Sequence, residues 1–319
     1  MFIGTKEITS NTPVYFIAEI SANHCNDKRI AHQIIEECAR AGADAVKFQT
    51  YTAKELAADG ISIKRGLDRK HDAWLASIGG RDTLQDLLSG GGLPREWHKE
   101  MKSVADWNGI EFLSTPFSVD AAKFLVEEIG VKALKIASGD LTFKPLLEYA
   151  NKCGLPVILS TGGAYLTEVV DAVHFEMLEA YQAGRIAVLH CTSSYPLNPR
   201  DANLGAIRTL LAQSYNTIVG YSDHTTNIDW LPVMAVTLGA RIYEKHVKLG
   251  TGIGSIDRDH SITTEDLKDM IKNVDDSVAA MGDGRKVPQP SELHDRIWAR
   301  RDPSDWLRPT QRAREGAWE

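Results

Sequence analysis

Two histidines close short apolar runs in this chain of 319 residues. His224 ends Ile218-Val219-Gly220-Tyr221-Ser222-Asp223, and His246 ends Ala240-Arg241-Ile242-Tyr243-Glu244-Lys245. Both runs read as strands and the stretch between them as one helix, so on adjacent parallel strands both imidazoles reach one rim. A two-histidine site leaves coordination positions open, which suits a metal that must polarise a substrate oxygen. The plainer account is a satisfied core histidine at 246 and a strand-end turn at 223–224. Two lysines weigh against it. Lys47 and Lys135 lie inside otherwise apolar runs, where an ammonium is costly unless an anion meets it. With neighbouring hydroxyls they describe a pocket for phosphate and carboxylate groups. Internal ion pairs, Lys47 with Glu19 or Lys135 with Glu244, are the alternative. A Schiff-base lysine is a third reading, disfavoured because a metal would make the iminium unnecessary.

The elements that must position these groups alternate strand and helix. Candidate strands are Tyr15–Ser21, Ala45–Thr50, Glu111–Pro116, Ala133–Ser138, Pro156–Thr161, Ile186–Thr192, Thr217–Asp223 and Ala240–Val247, each a near-continuous apolar run as in a parallel sheet covered on both faces. Ile30, Ile34, Ile35 and Cys38 repeat at helix spacing, as do Leu146, Leu147 and Ala150. Gly42, Gly109, Gly130, Gly154, Gly184 and Gly239 punctuate the helix exits. Eight strand–helix units predict an α/β fold, a TIM (β/α)8 barrel, with an N-terminal hairpin in 1–13 across its bottom and a short C-terminal tail. The expected division is a barrel over 1–284 and a docking tail over 285–319, the latter with seven arginines and three tryptophans. A doubly wound open sheet is the runner-up, but no glycine-rich dinucleotide loop follows the first strand. Tyr51–Gly92 is long for a strand–helix loop and is placed as an insertion on the active-site side or a plain surface excursion.

Polar residues collect at the strand ends: Glu19; Lys47 and Gln49 on one face; Thr115; Lys135 and Ser138; Ser160; Ser193 and Tyr195; Ser222 and His224; Glu244 and His246 on one face. A purely structural rim needs no buried lysines. Composition sets the outer limits. A formal charge of -7 gives no general attraction to nucleic acid or an anionic membrane. The four cysteines show no short spacing, so a reducing cytoplasm fits better than a disulfide framework. No apolar stretch approaches the ~20 residues needed to cross a bilayer.

Seven segments carry a family likeness: Phe16–His24, Gly42–Thr50, Phe112–Phe117, Leu134–Gly139, Val157–Gly162, Gly220–Thr225 and Glu244–His246. In unbroken order they resemble bacterial sialic acid (N-acetylneuraminate) synthases over the catalytic barrel. The resemblance implies a transferase of the 2.5.1 class that condenses phosphoenolpyruvate with an amino-sugar aldehyde and releases phosphate. It implies a divalent metal, Mn²⁺ before Mg²⁺ or Co²⁺, on His224 and His246. Lys47, Thr115, Lys135, Ser138, Ser160 and Ser222 would hold phosphoenolpyruvate, with Ser193 beside them where asparagine is common. Glu19, Lys47 and Lys135 would be catalytic, Glu19 near C2 of phosphoenolpyruvate. Gln49, Asp140, Tyr195 and Asp257 would face the sugar, with Asp259 competing for the place of Asp257 if the loop is shifted. A homodimer is an assembly the resemblance would allow.

The departures fall on the sugar side. Family members normally continue past Arg300-Arg301 into a small antifreeze-like domain, whereas this sequence runs into Asp302-Pro303-Ser304-Asp305-Trp306, so a barrel without that module is expected. Asp140 stands where glutamate is usual and Cys25 where asparagine is usual. The phosphoenolpyruvate and metal half therefore reads as intact and the sugar half as rebuilt, with an acceptor other than N-acetylmannosamine in view. The competing functions are a metal-dependent sugar aldolase or isomerase and a non-catalytic sugar-binding barrel.

Overall fold

The computed structural model describes residues 1–62, 83–213, 217–250 and 255–316. Residues 63–82 of the insertion and Trp318 of the tail lie outside the described residues. The chain divides into two compact units, Met1–Val278 and Ala279–Glu319.

The barrel of the first unit is built, among the described residues, from eight parallel strands, β1 (Tyr15–Glu19), β2 (Ala45–Thr50), β3 (Glu111–Pro116), β4 (Leu134–Ile136), β5 (Val157–Ser160), β6 (Ile186–Cys191), β7 (Ile218–Asp223) and β8 (Ile242–Lys248), and the short strand Ile262–Thr263 pairs parallel with β8 beside them. All eight expected strands are present, with ends shifted by a residue or two. They pair in the order β3-β2-β1-β8-β7-β6-β5-β4, and the end strands β3 and β4 lie against each other to round off the barrel. The expected hairpin is present as Phe2–Ile3 antiparallel to Lys6–Glu7. Helices follow the strands: α1 (Lys28–Ala41), α2 (His98–Trp107), α3 (Val119–Lys123), α4 (Lys144–Lys152), α5 (Leu166–Asp171), α6 (Ala206–Gln213), α7 (Trp230–Thr237) and α8 (Thr264–Met281).

The sequence shows why α1 forms and stops. Asp27 caps its first turn by accepting from the Arg29 N–H at 2.8 Å, and Ala31, Ile34, Ile35 and Cys38 make the buried stripe. Gly42 then takes φ 95°, a left-handed conformation that turns the chain into β2 and satisfies the last carbonyls.

Two cores result from strand alternation. Outward-facing strand residues such as Phe16, Val46, Phe112 and Leu159 pack under the helices. Inward-facing ones, Tyr15, Ile17, Ala45, Leu113, Ile158, Ala187, Leu189 and Ile242, fill the barrel with Ile3 and Ile8 of the hairpin region. Gly220 is required in this filling, because a Cβ there would lie 2.4 Å from Leu189 Cδ2 and 2.5 Å from the Ile242 carbonyl oxygen. The lower barrel is therefore a closed apolar plug. Whatever polar chemistry the barrel does has to sit above it, at the strand C-termini.

The second unit carries short helices at Leu293–Ala299 and Gln311–Arg314. Asp302 ties it internally, accepting from the Ser304 N–H at 2.9 Å and the Gln311 N–H at 2.5 Å.

Candidate active site

One step up each strand from the apolar plug, the inward positions turn polar. The registers Glu19 opposite Lys47, Gln49 opposite Thr115, Cys191 opposite Ser222, and His246 opposite Glu19 put them in one layer. They surround a cavity of about 250 Å³ lined by every sequence-predicted residue except Asp140 and Asp257. A larger cavity of about 550 Å³ between α5 and α6 holds neither lysine nor paired carboxylates, so the chemistry belongs to the smaller one.

Its centre is a quartet of buried charges. Lys47 is ion-paired with Glu19 and donates to Thr115 Oγ1 at 3.1 Å. Glu244 lies 3.7 Å from both Lys47 and Lys135 and accepts from Ser222 Oγ at 3.1 Å. Both internal pairings offered above as the alternative to an anion pocket are thus present. They do not use up the lysines. Among the described residues Lys135 has only Ser160 Oγ at 2.6 Å and the Ile136 carbonyl at 3.3 Å within hydrogen-bond distance, which leaves room for an incoming anion. At 3.7 Å each lysine–Glu244 attraction is worth about 4 kcal/mol at an effective dielectric of 20, while desolvation costs several kcal/mol per ion. The quartet is close to neutral for stability, and its charge pattern is better accounted for by ligand chemistry.

The two carboxylates differ. Burial, together with the Glu244 charge, lifts Glu19 to about 7 against the pull of Lys47. Burial would raise Glu244 too, but Lys135 and Lys47 outweigh it and hold Glu244 below the ordinary value. One acid is poised to exchange a proton near neutrality and the other stays an anion, a separation that marks acid–base sites. Burial lowers Lys135, whereas at Lys47 the paired carboxylates overcome burial and raise it.

Hydroxyls and a backbone amide line one side. Ser138 Oγ accepts from the Gly162 N–H at 2.9 Å, and a Cβ on Gly162 would fall 2.2 Å from Ser193 Oγ, so only glycine brings that amide into the layer. Gln49 Nε2 donates to Glu19 Oε1 at 3.2 Å.

The histidines occupy the rim. His224 and His246 have ring centroids 5.6 Å apart, and Tyr195 stacks 4.1 Å from His224. His224 Nδ1 donates to the Thr192 carbonyl at 2.9 Å, which fixes the tautomer and leaves Nε2 as the lone-pair nitrogen. His246 Nδ1 is buried without a partner among the described residues. Burial lowers both imidazoles, His224 to about 4 and His246 well below its ordinary value, so both are neutral and competent as ligands. This orphaned nitrogen and the neutral donor pair fit a divalent cation.

Asp140 is off the cavity wall, with Oδ2 buried and unpartnered among the described residues and its pKa raised by burial to about 6. Asp257 lies beside His246 and His260, whereas the competing Asp259 is 61% exposed and paired with Arg258. Sequence reasoning gave Glu244 no role beyond an internal ion pair with Lys135, and gave none to Cys191 on the cavity wall or to His260, whose ring centroid is 4.5 Å from that of His246. Period-two alternation from Ile242 through Glu244 to His246 carried a signal for the first. His260 lies on the loop after β8, where no periodicity points.

Fold and site define the class: a (β/α)8 barrel whose ionisable groups gather at the strand C-termini above a sealed apolar plug. The chain belongs to the NeuB family, whose model matches residues 34–286. It is 35% identical to the N,N'-diacetyllegionaminic acid synthase of Legionella pneumophila, over 93% of this chain and 82% of that protein. It is 30% identical to the N-acetylneuraminate-9-phosphate synthase of Mus musculus, over 88% and 75%. The crystal structure of N-acetylneuraminic acid (sialic acid) synthetase from Leptospira borgpetersenii, in complex with citrate, superimposes with a TM-score of 0.77 at 34% identity, covering 92% of this chain and 94% of that one.

Proposed function

We propose that this chain is a transferase of the 2.5.1 class that condenses phosphoenolpyruvate with an open-chain amino-sugar aldehyde to give a 2-keto-3-deoxy sugar acid and phosphate. The observation that carries the reading is the buried quartet of Glu19, Lys47, Lys135 and Glu244 beneath two neutral histidines. Membership of a family whose relatives are named as synthases of neuraminic, legionaminic and pseudaminic acids agrees with it.

Lys47 and Lys135 meet the phosphate and carboxylate of phosphoenolpyruvate, with Thr115, Ser138, Ser160, Ser193, Ser222 and the Gly162 amide completing the cradle. Gln49, Tyr195, Asp140 and Asp257 serve the sugar side. His224 and His246 hold a divalent cation, Mn²⁺ by preference, which when bound supplies Lewis-acid polarisation of the aldehyde oxygen. The enol C3 attacks the aldehyde carbon, and the carbonyl π pair moves to oxygen, which takes up a proton. Glu244 and Glu19 stabilise the positive charge left at C2. Water adds at C2, and Glu19 accepts its proton. The C2–O bond to phosphate then breaks, the remaining hydroxyl proton leaves, and the oxygen of water becomes the ketone. Of the two protons of water, one ends on the new hydroxyl and one on phosphate.

The test is phosphate release from phosphoenolpyruvate with Mn²⁺ and a panel of N-acetylated and diacetylated amino-sugar aldehydes, with and without EDTA. Aldehyde-dependent release that EDTA abolishes is expected. Full turnover after metal removal would refute the metal role, and absence of release with every aldehyde would refute the synthase.

A further inference from the structure

We propose that His260 and Asp257, on the loop after β8, bind the same divalent cation as His246, giving a two-histidine, one-carboxylate seat next to the His224 ring. The inference rests on the metal-assisted reading above and extends its ligand set beyond the strand ends.

Donor atoms of His246, Asp257 and His260 all lie within 4.8 Å of one another. Two buried nitrogens of these residues, His246 Nδ1 and His260 Nε2, have no hydrogen-bond partner among the described residues. A buried nitrogen left unpaired costs about 1–3 kcal/mol, and two in one cluster call for a shared occupant. His260 Nε2 lies 3.6 Å from Asp257 Oδ1, beyond hydrogen-bond range. That separation is short enough for both atoms to reach one ion through bonds of about 2.1 Å. The imidazoles alone are explained by packing, since His260 sits edge-on to His246 and to Tyr195. Packing does not explain a carboxylate facing an unpaired imidazole nitrogen.

The loop is built to hold these donors. Asp257 Oδ2 accepts from the Ala22 N–H at 3.2 Å, while Ser261 Oγ donates to the Asp257 carbonyl at 2.6 Å. Asn23 Nδ2 bridges the Val247 carbonyl and Ser261 Oγ, each at 2.8 Å, stitching the loop to the end of β8. Such supports orient ligands before the ion arrives. The donor set also speaks to the ion. Nitrogen-rich ligation with one carboxylate favours a transition-metal dication over Mg²⁺, and the negative charge of Asp257 offsets part of the cost of burying the cation. On this assignment Asp257 serves the sugar side as a metal ligand.

The experiment is a titration of metal-depleted full-length protein with Mn²⁺ alone, followed by calorimetry, with the number of coordinated imidazole nitrogens counted by electron spin-echo spectroscopy of the bound ion. His260→Gln should weaken binding by at least about tenfold and remove one nitrogen. Asp257→Asn should weaken it similarly with every nitrogen retained, and it carries the test if His260→Gln does not fold by circular dichroism. Less than tenfold loss in both variants, or an unchanged nitrogen count in folded His260→Gln, overturns the assignment. A wild-type protein that takes up no cation overturns the metal-assisted reading and this one together. A wild-type protein that binds Mn²⁺ yet releases no phosphate overturns the synthase alone, and the variants still decide the ligands.

Discussion

Replacing Lys245 by methionine should destabilise this protein far more than removal of a surface charge, although Lys245 points away from the cavity. Asp223 and Lys245 are side by side on β7 and β8, both side chains have 0% exposure, and their ion pair measures 2.5 Å. The same carboxylate accepts from Tyr243 Oη at 2.7 Å and from the Thr225 N–H at 2.8 Å, while Lys245 also donates to the Thr225 carbonyl at 2.5 Å. The network pins the turn carrying His224 and the strand carrying His246. Methionine fills the stem volume but removes the ammonium, leaving a buried carboxylate with its remaining donors. Breaking a buried pair from one side costs about 3–5 kcal/mol, against about 0–1 for an exposed pair. Urea unfolding of Lys245→Met should show that loss, and the double variant Asp223→Asn/Lys245→Met should recover at least half of it, because no orphaned charge remains. A single variant losing less than about 1 kcal/mol, or a double variant losing the sum of the two singles, would refute the reasoning.

Other expectations follow from the same geometry. Glu19→Gln should lower kcat for phosphate release by about 10²–10⁴ while leaving the Michaelis constant for phosphoenolpyruvate within a few-fold, since general acid–base groups contribute at that scale; a kcat within tenfold of wild type would remove Glu19 from the proton chemistry. Gly220→Ala should cost about 1–3 kcal/mol or more in chemical denaturation, because its methyl meets the Ile242 backbone at 2.5 Å, and an unchanged midpoint would contradict the filled barrel. Stability should fall in acid through His98, which accepts from Thr50 Oγ1 at 2.7 Å and is lowered by burial to about 4. The unfolded chain then binds the extra proton between the ordinary imidazole value and about 4, so this contribution is complete above about 6.5 and is lost as pH falls toward 4, by roughly 3 kcal/mol. His98→Gln should flatten that slope in urea melts across the range, and an unaltered slope would assign the acid sensitivity elsewhere.

Much of this molecule is legible in the chain. Alternation of apolar runs and helical periods dictates eight strand–helix units, because parallel strands covered on both faces leave long apolar runs and helices leave a stripe. The same period-two rule puts Glu19, Lys47, Gln49, Glu244 and His246 on inward faces before any coordinates are known. Strand periodicity says which way a residue points and nothing about its neighbours across the barrel. Only closure of the sheet decides that Glu244 stands between Lys47 and Lys135 and that the two carboxylates part company in acidity. Loops carry no period at all. His260 and Asp257 reach His246 because Asn23, Ala22 and Ser261 tie that loop to β8, a set of contacts spanning more than two hundred residues of chain. Pattern in the sequence sets direction, because side-chain orientation is local to each strand. Proximity, and with it pKa and ligand set, belongs to the tertiary structure, because it depends on which distant strands and loops the closed barrel brings together.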